Sequence, residues 1–286
     1  MLLYCAENRR APFVSVFQSS AKAHDFEVFL TNPAEAPSLA FAKFQTVYRH
    51  LSVNSPSFEL ACFRRYFSAL VDLAGKSSFV ISDSDILVQA PWRAFPEPMR
   101  DQQYFVGSVG ETLEGPEEDI SPHFSMWSPN RLADFINFLI FQYSERFDEL
   151  QAIFLRRRAV SARPAISDMT LLSLWVRAQN VPLFNSNQVQ LDSSYMDHNI
   201  STPLASNAQF LESFGRKKIV LREGTWNFQT MDGDWVRPLT MHLQGRYKLA
   251  AQPLQKNQRS QLCAVSAYIQ LGRNARRFIQ RYYADA

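Results

Sequence analysis

The chain has 286 residues, 46% of them hydrophobic and 13% aromatic, and a net charge of +3. That apolar content fills a real core and excludes a disordered chain. A charge so close to neutral gives no basis for a nucleic-acid partner.

The length admits one large domain or two small ones. Cys5, Cys62 and Cys263 lie far apart with no CxxC. They offer no zinc motif and no disulfide framework, and they suit a reducing compartment as small core residues. The N-terminal apolar run is about five residues, against about 7–15 for a signal-peptide core. No segment reaches the ~18 uninterrupted apolar residues of a membrane span. Residues 132–147 come closest, but Asp134, Asn137 and Gln142 interrupt them. The expectation is a soluble, cytoplasmic protein, with peripheral membrane contact left open.

Residues 2–5 read as a first strand, followed by a polar turn, Glu7-Asn8-Arg9-Arg10. Residues 26–30 alternate and read as a second strand; Pro33 and Pro37 then break the chain. Residues 41–51 are undecided between strand and helix. Residues 58–73 form the clearest helix, with Leu60, Phe63, Phe67, Leu70 and Leu73 at three- and four-residue spacing. Ser55-Pro56 marks its start and Gly75 its end. The apolar run 79–82 follows at once and reads as a strand buried on both faces. A helix feeding such a strand through a short loop is half of a wound α/β sheet, where ligands bind beyond the carboxyl ends of the strands.

Further on, 104–109 and 124–127 read as strands, with an acidic loop at 111–119 between them. A helix opens at Pro129-Asn130 and runs through 132–147. Ser167-Asp168 caps a helix over 169–178. Short strands are expected at 181–184, 189–191 and 219–221, and a short helix at 209–214. Residues 226–236 form strands or a hairpin turning at Asp232-Gly233, and 241–243 is a last short strand. Residues 255–286 are basic and helical in pattern, with Arg259, Arg273, Arg276, Arg277 and Arg281 among apolar residues.

Two stretches carry chemistry. Asp83-Ser84-Asp85 closes the buried strand with two acids one residue apart. Two ionised carboxylates repel unless a cation lies between them or one takes up a proton. The natural cation is an oxygen-liganded divalent ion, Mg²⁺ or Mn²⁺, bridging to substrate phosphates. A turn with an N-cap is the plainer alternative. His242-Leu243-Gln244-Gly245-Arg246-Tyr247-Lys248 is an H-x-x-G-x-x-K pattern. An imidazole can complete a metal shell, a glycine permits close backbone approach to phosphate, and a lysine supplies a point charge.

Together the two stretches resemble the GT-A glycosyltransferases, especially the family-8 type that includes glycogenin and bacterial lipopolysaccharide galactosyltransferases. The resemblance spans roughly residues 2–248. It implies a Rossmann-like, mixed but mostly parallel α/β sheet flanked by helices over 1–254, with a basic helical extension over 255–286. It also implies transfer of a sugar from a nucleotide diphosphate donor, a UDP-sugar in that family, to an acceptor hydroxyl on a glycan, glycolipid or protein. Carried over by position, Asp83, Asp85 and His242 are metal ligands, and Gly245 and Lys248 contact the diphosphate. Ser167-Asp168-Met169-Thr170-Leu171-Leu172 resembles the family's D-Q-x-x-L-N element. That makes Asp168 a candidate for binding sugar hydroxyls or stabilising charge at the anomeric carbon; a plain helix cap stays open beside it. Met169 in place of Gln, Leu-Ala-Ala after Lys248, and His123-Phe124-Ser125 in place of an Asn-Ala-Gly-type strand depart from the family. A retaining outcome and the sugar therefore do not carry over.

Glu59 and Arg64, on the helix beside the D-x-D strand, are within reach of a nucleotide or form a solvated, ion-paired face. Arg9 and Arg10 follow the first strand, where base and phosphates sit in this fold. Asp192, Asp197 and His198 read as a polar loop ahead of a second metal, and His123 and Trp127 as core ahead of sugar contacts. The basic tail packs on the domain or rests on an anionic membrane surface. Rival readings are a non-catalytic nucleotide- or glycan-binding protein, a scaffold in which both motifs are accidents, and a sugar-phosphate nucleotidyltransferase. The last needs a Gly-rich N-terminal loop, and residues 2–12 contain no glycine.

Overall fold

The structure is a computed structural model that describes residues 1–32, 38–101, 103–109 and 118–284, with side chains through residue 272. Pro33, Pro37, most of the acidic loop at 111–119 and the side chains of Arg273, Arg276, Arg277 and Arg281 lie outside the described residues. The chain divides into two compact units, whose segments alternate along the sequence. One comprises Met1–Asn8, Phe26–Asp83 and Phe95–Ser186; the other comprises Arg9–Asp25, Ser84–Ala94 and Asn187–Ala286. The cut falls inside the Asp83-Ser84-Asp85 turn.

The first unit is built on a mixed sheet ordered Glu27–Thr31, Leu2–Ala6, Phe79–Ser82, Phe124–Trp127. The first three strands run parallel and the last antiparallel. Phe79–Ser82 is buried at every position, as a central strand apolar on both faces must be. The helix that feeds it is Pro56–Asp72. The Ser55 hydroxyl accepts the Phe58 N–H, and Pro56 sits where a missing N–H costs nothing. Its buried face carries Phe63, Tyr66 and Phe67. They meet Phe44, Trp127, Phe135, Trp175 and Tyr143 in one aromatic core. The undecided stretch at 41–51 is largely a helix, Leu39–Val47, capped by the Ser38 hydroxyl. Its Phe41 and Phe44 pack into that core.

The second unit holds an antiparallel sheet ordered Ile219–Arg222, Thr225–Gln229, Trp235–His242, Ile86–Val88. Ser194–Met196 runs parallel beside Trp235–His242, with a register shift between Pro238 and Thr240. The strand expected at 241–243 is the end of this longer one. The helix expected at 209–214 is instead a tight hairpin pairing Glu212–Ser213 with Arg216–Lys217. Phe214 and Gly215 turn it with φ of +54° and +69°, a left-handed backbone that no helix continues through. The strand expected at 189–191 also does not form; the chain pairs five residues later. The helix Arg259–Ala284 seats Leu262 and Ile269 in the core of this unit.

Candidate functional site

Antiparallel pairing sets His242 opposite Ile86, and the Leu243 N–H donates to the Asp85 carbonyl at 2.9 Å. Sheet register thus delivers the imidazole to the second acid of the D-x-D turn. His242 Nε2 lies 3.3 Å from Asp85 Oδ1, and Lys248 Nζ lies 3.0 Å from Asp85 Oδ2. Asp85 and His242 are both buried, at 6% and 1% exposure. Burial pushes the Asp85 carboxyl up, but His242 and Lys248 outweigh it and hold the group well below the usual carboxylate range. Lys248 rides a short 3-10 turn, Gly245–Ala250, and its ammonium also sits 4.7 Å from the centre of the Phe13 ring. Gly245 opens that turn at φ +61°, with open space where a Cβ would stand. Backbone conformation demands the glycine there, and the space leaves the peptide approachable.

The imidazole is oriented from behind. His242 Nδ1 lies 2.6 Å from the His198 carbonyl oxygen, which can only accept, so Nδ1 carries a proton. In the neutral ring Nε2 then presents a lone pair to a carboxylate oxygen at 3.3 Å, two acceptors face to face. That juxtaposition is satisfied by a proton on Nε2 or by a cation shared with Asp85. A backbone carbonyl on the far nitrogen is the usual support of a metal-binding histidine. Asp83 stands two residues before Asp85 in the chain, which makes it the remaining acid of the D-x-D turn. Two carboxylates and an imidazole suit Mn²⁺ or Mg²⁺, so the donor set fits a divalent ion.

Asp83 is held by a residue the sequence pattern did not single out. Arg65 donates from Nη1 to Asp83 Oδ1 at 2.6 Å and from Nη2 to Asp168 Oδ2. Tyr66 Oη donates to the same Asp168 oxygen at 2.9 Å. Burial opposes the Arg65 charge, but Tyr66, Asp168 and Asp83 bind its proton more firmly than usual. Burial, with Asp168 adding to it, raises the Tyr66 phenol well above its ordinary value. Asp168 is the first residue of the helix Asp168–Ala178, whose Ser167 and Thr170 make a reciprocal capping box. Ser167 is thus the N-cap residue, and Asp168 divides its carboxylate between the Met169 N–H, at 3.0 Å, and Arg65.

The other expected residues fall as follows. Arg64 carries its guanidinium 4.8 Å from the Phe41 ring, while its neighbour Arg65 reaches the acids. Glu59 accepts from Ser52 and Asn54, tying down the loop before its own helix. Arg9 lies over Phe13 at 5.3 Å, and Arg10 is exposed. Trp127 is fully buried and donates to the Ser125 hydroxyl; it is core. His123 is buried, and its carbonyl accepts the Asp83 N–H at 2.9 Å. Asp192 turns the chain by accepting from the Ser194 N–H. Burial, with His242 and Lys217 adding to it, pushes His198 down to about 3, so that ring is neutral near pH 7.

No protein-family model matches the sequence, and no curated protein matches it. Among solved structures, the chain is similar to a glycosyltransferase involved in the glycosylation of the major capsid of PBCV-1, at 8% identity. The match covers 66% of this chain and 82% of that one, with a TM-score of 0.37. It is also similar to the galactosyltransferase LgtC in complex with donor and acceptor sugar analogs, at 15% identity, 68% and 75% coverage and a TM-score of 0.40. A third is the apo-form glycosyltransferase GlyE of Streptococcus pneumoniae TIGR4, at 12% identity, 65% and 45% coverage and a TM-score of 0.33. Among the described residues no helix is long and apolar enough to cross a membrane.

Proposed function

We propose that the chain is a divalent-cation-dependent glycosyltransferase of the GT-A type. It moves a sugar from a nucleotide diphosphate, a UDP-sugar in this reading, to an acceptor hydroxyl on a glycan, glycolipid or protein. The observation that carries the reading is the aim of His242: its Nδ1 donates to a carbonyl, and its Nε2 faces the Asp85 carboxylate at 3.3 Å.

Asp83, Asp85 and His242 would hold Mn²⁺ or Mg²⁺. When bound, the ion offsets charge growing on the departing diphosphate. Lys248 adds a fixed positive charge at the same place, a preorganised electrostatic contribution. Gly245 lets the backbone of the Lys248 turn come close to phosphate. Arg65 fixes the rotamer of Asp83 and presents Asp168, the candidate for sugar hydroxyls, on the same guanidinium. No side chain is assigned as a catalytic base.

Calorimetry with UDP, in the presence and absence of Mn²⁺, tests this. Expected is binding that needs Mn²⁺ and is lost in Asp85→Ala. No UDP binding under either condition would sink the proposal. Release of sugar from a screen of nucleotide sugars then separates an enzyme from a binding protein.

A further inference from the structure

Behind His242 lies an ion pair with no exposure at all. Lys217 Nζ contacts Asp197 Oδ1 at 2.9 Å, and both side chains are 0% exposed. The lysine is surrounded by Tyr195, Phe210 and Phe228, with its ammonium 5.8, 5.3 and 5.7 Å from their ring centres. A buried ion pair is a poor way to stabilise a core, because desolvating two charges costs about as much as their attraction returns. Apolar residues of similar volume would do as well. Its presence in an aromatic nest calls for another use.

The remaining hydrogen bonds of the pair show that use. The parallel pairing of Ser194–Met196 with the long strand ends at Thr240, where the Asp197 N–H donates to the Thr240 carbonyl. Beyond that point the Ile200 N–H donates to the His242 carbonyl at 3.1 Å. The Asp197 side chain holds the other backbone group of the same residue: its Oδ2 accepts the His242 N–H at 3.1 Å. Lys217 spends a second proton on the Asn199 carbonyl at 2.7 Å, which fixes the chain on the other side of His198. His198 in turn gives its carbonyl to His242 Nδ1. Residues 197–199 thus grip His242 at backbone and ring together, and Lys217 locks that grip.

We infer that Asp197 and Lys217 are positioning residues, which hold His242 with Nε2 aimed at Asp85 and so set the affinity of the cation site. The inference rests on the metal reading above. Neither residue touches the ion or the substrate; both act through His242. Outer-shell partners of this kind change metal affinity by about 10–100-fold when removed.

The test is Mn²⁺ titration of the full chain, with and without UDP, read by the electron paramagnetic resonance signal of the free ion. Thermal denaturation is followed in parallel. Lys217→Met leaves Asp197 buried without its cation, so both stability and Mn²⁺ affinity fall. The Asp197→Leu/Lys217→Met double variant replaces the pair with apolar volume. Stability should recover in it while Mn²⁺ affinity stays about 10-fold or more below the unaltered protein. Full recovery of both would mean that the pair is only structural. Asp197→Asn serves where the double variant does not fold: its single amide oxygen cannot serve both Lys217 and the His242 N–H, so affinity drops with the fold intact by circular dichroism. Unchanged affinity in a folded Asp197→Asn overturns the inference. His242→Ala separates the two levels. If the unaltered protein binds Mn²⁺ and His242→Ala weakens it, failure of the Asp197 and Lys217 variants to do so refutes the positioning role alone. If the unaltered protein binds no Mn²⁺ with or without UDP, both readings fall.

Discussion

Arg65 is the strongest stability test of the site. Its guanidinium pairs with both Asp83 and Asp168, and its side chain is only 14% exposed. Arg65→Met keeps most of the stem volume and removes the charge. Breaking a buried ion pair by deleting one partner costs about 3–5 kcal/mol. Two features place this case at the low end. Asp168 keeps the Tyr66 hydroxyl at 2.9 Å and the Met169 N–H at 3.0 Å. Asp83 is 34% exposed on its side chain and can turn toward water. The expected loss is therefore about 3 kcal/mol. The assay is urea denaturation followed by tryptophan fluorescence, since the Trp127 ring lies 5.7 Å from the Tyr66 ring. A double-mutant cycle with Asp168→Asn should give a coupling of at least about 1 kcal/mol. A loss below about 1 kcal/mol for Arg65→Met, or strict additivity with Asp168→Asn, would refute the account of Arg65 as the tie between the acids.

Gly245→Ala meets no neighbour, so its cost is the left-handed backbone alone, about 1–2 kcal/mol; thermal denaturation reads it, and UDP calorimetry should show weaker binding as the Lys248 turn shifts. Burial raises the phenols of Tyr4, Tyr66, Tyr143 and Tyr195 above the ordinary value. Folded chains then keep protons that unfolded chains release, so their contribution is complete below about pH 10 and lost as pH rises beyond it. The urea midpoint should accordingly fall between pH 8 and pH 11, and phenolate absorbance from these four should appear only with unfolding. Their ionisation with an unchanged circular dichroism spectrum contradicts this. Cys263 is exposed, whereas Cys5 is buried and burial pushes the Cys62 thiol up. A thiol reagent should therefore modify Cys263 first in the native protein, and mass spectrometry of the labelled peptides checks the order.

The legible parts of the fold are those written in local pattern. The run 79–82 bounded by Gly75 and Asp83 announces a buried strand, and Ser55-Pro56 announces the helix start that the Ser55 cap makes. The hairpin turn at Asp232-Gly233 likewise needs only its own residues, with Gly233 at φ +93°. The helix expected at 209–214 failed because Phe214 takes a left-handed backbone, which its residue type does not advertise. Within the site, two motifs pointed to Asp83, Asp85, His242 and Lys248. They could not distinguish Arg64 from Arg65. Both flank the apolar stripe of their helix, and the choice is made by Asp168, which is 103 residues away. The Asp197–Lys217 pair was invisible for the same reason. Its members are 20 residues apart, and no local pattern links them.

The pairing of Ile86 with His242 also orders the site in time. Asp83 meets Arg65 from only 18 residues away, within the helix–strand unit that precedes it. Asp85 waits for His242 and Lys248, which lie about 160 residues downstream. A ribosome adding about 5–20 residues per second takes roughly 8–30 s to supply them. Through that interval the nascent chain carries a half-built centre, in which one carboxylate of the turn is already paired and the other is not. A contact of such long sequence separation forms late and slowly. The imidazole and ammonium that neutralise Asp85 thus reach it only about 160 residues of synthesis after the acid itself.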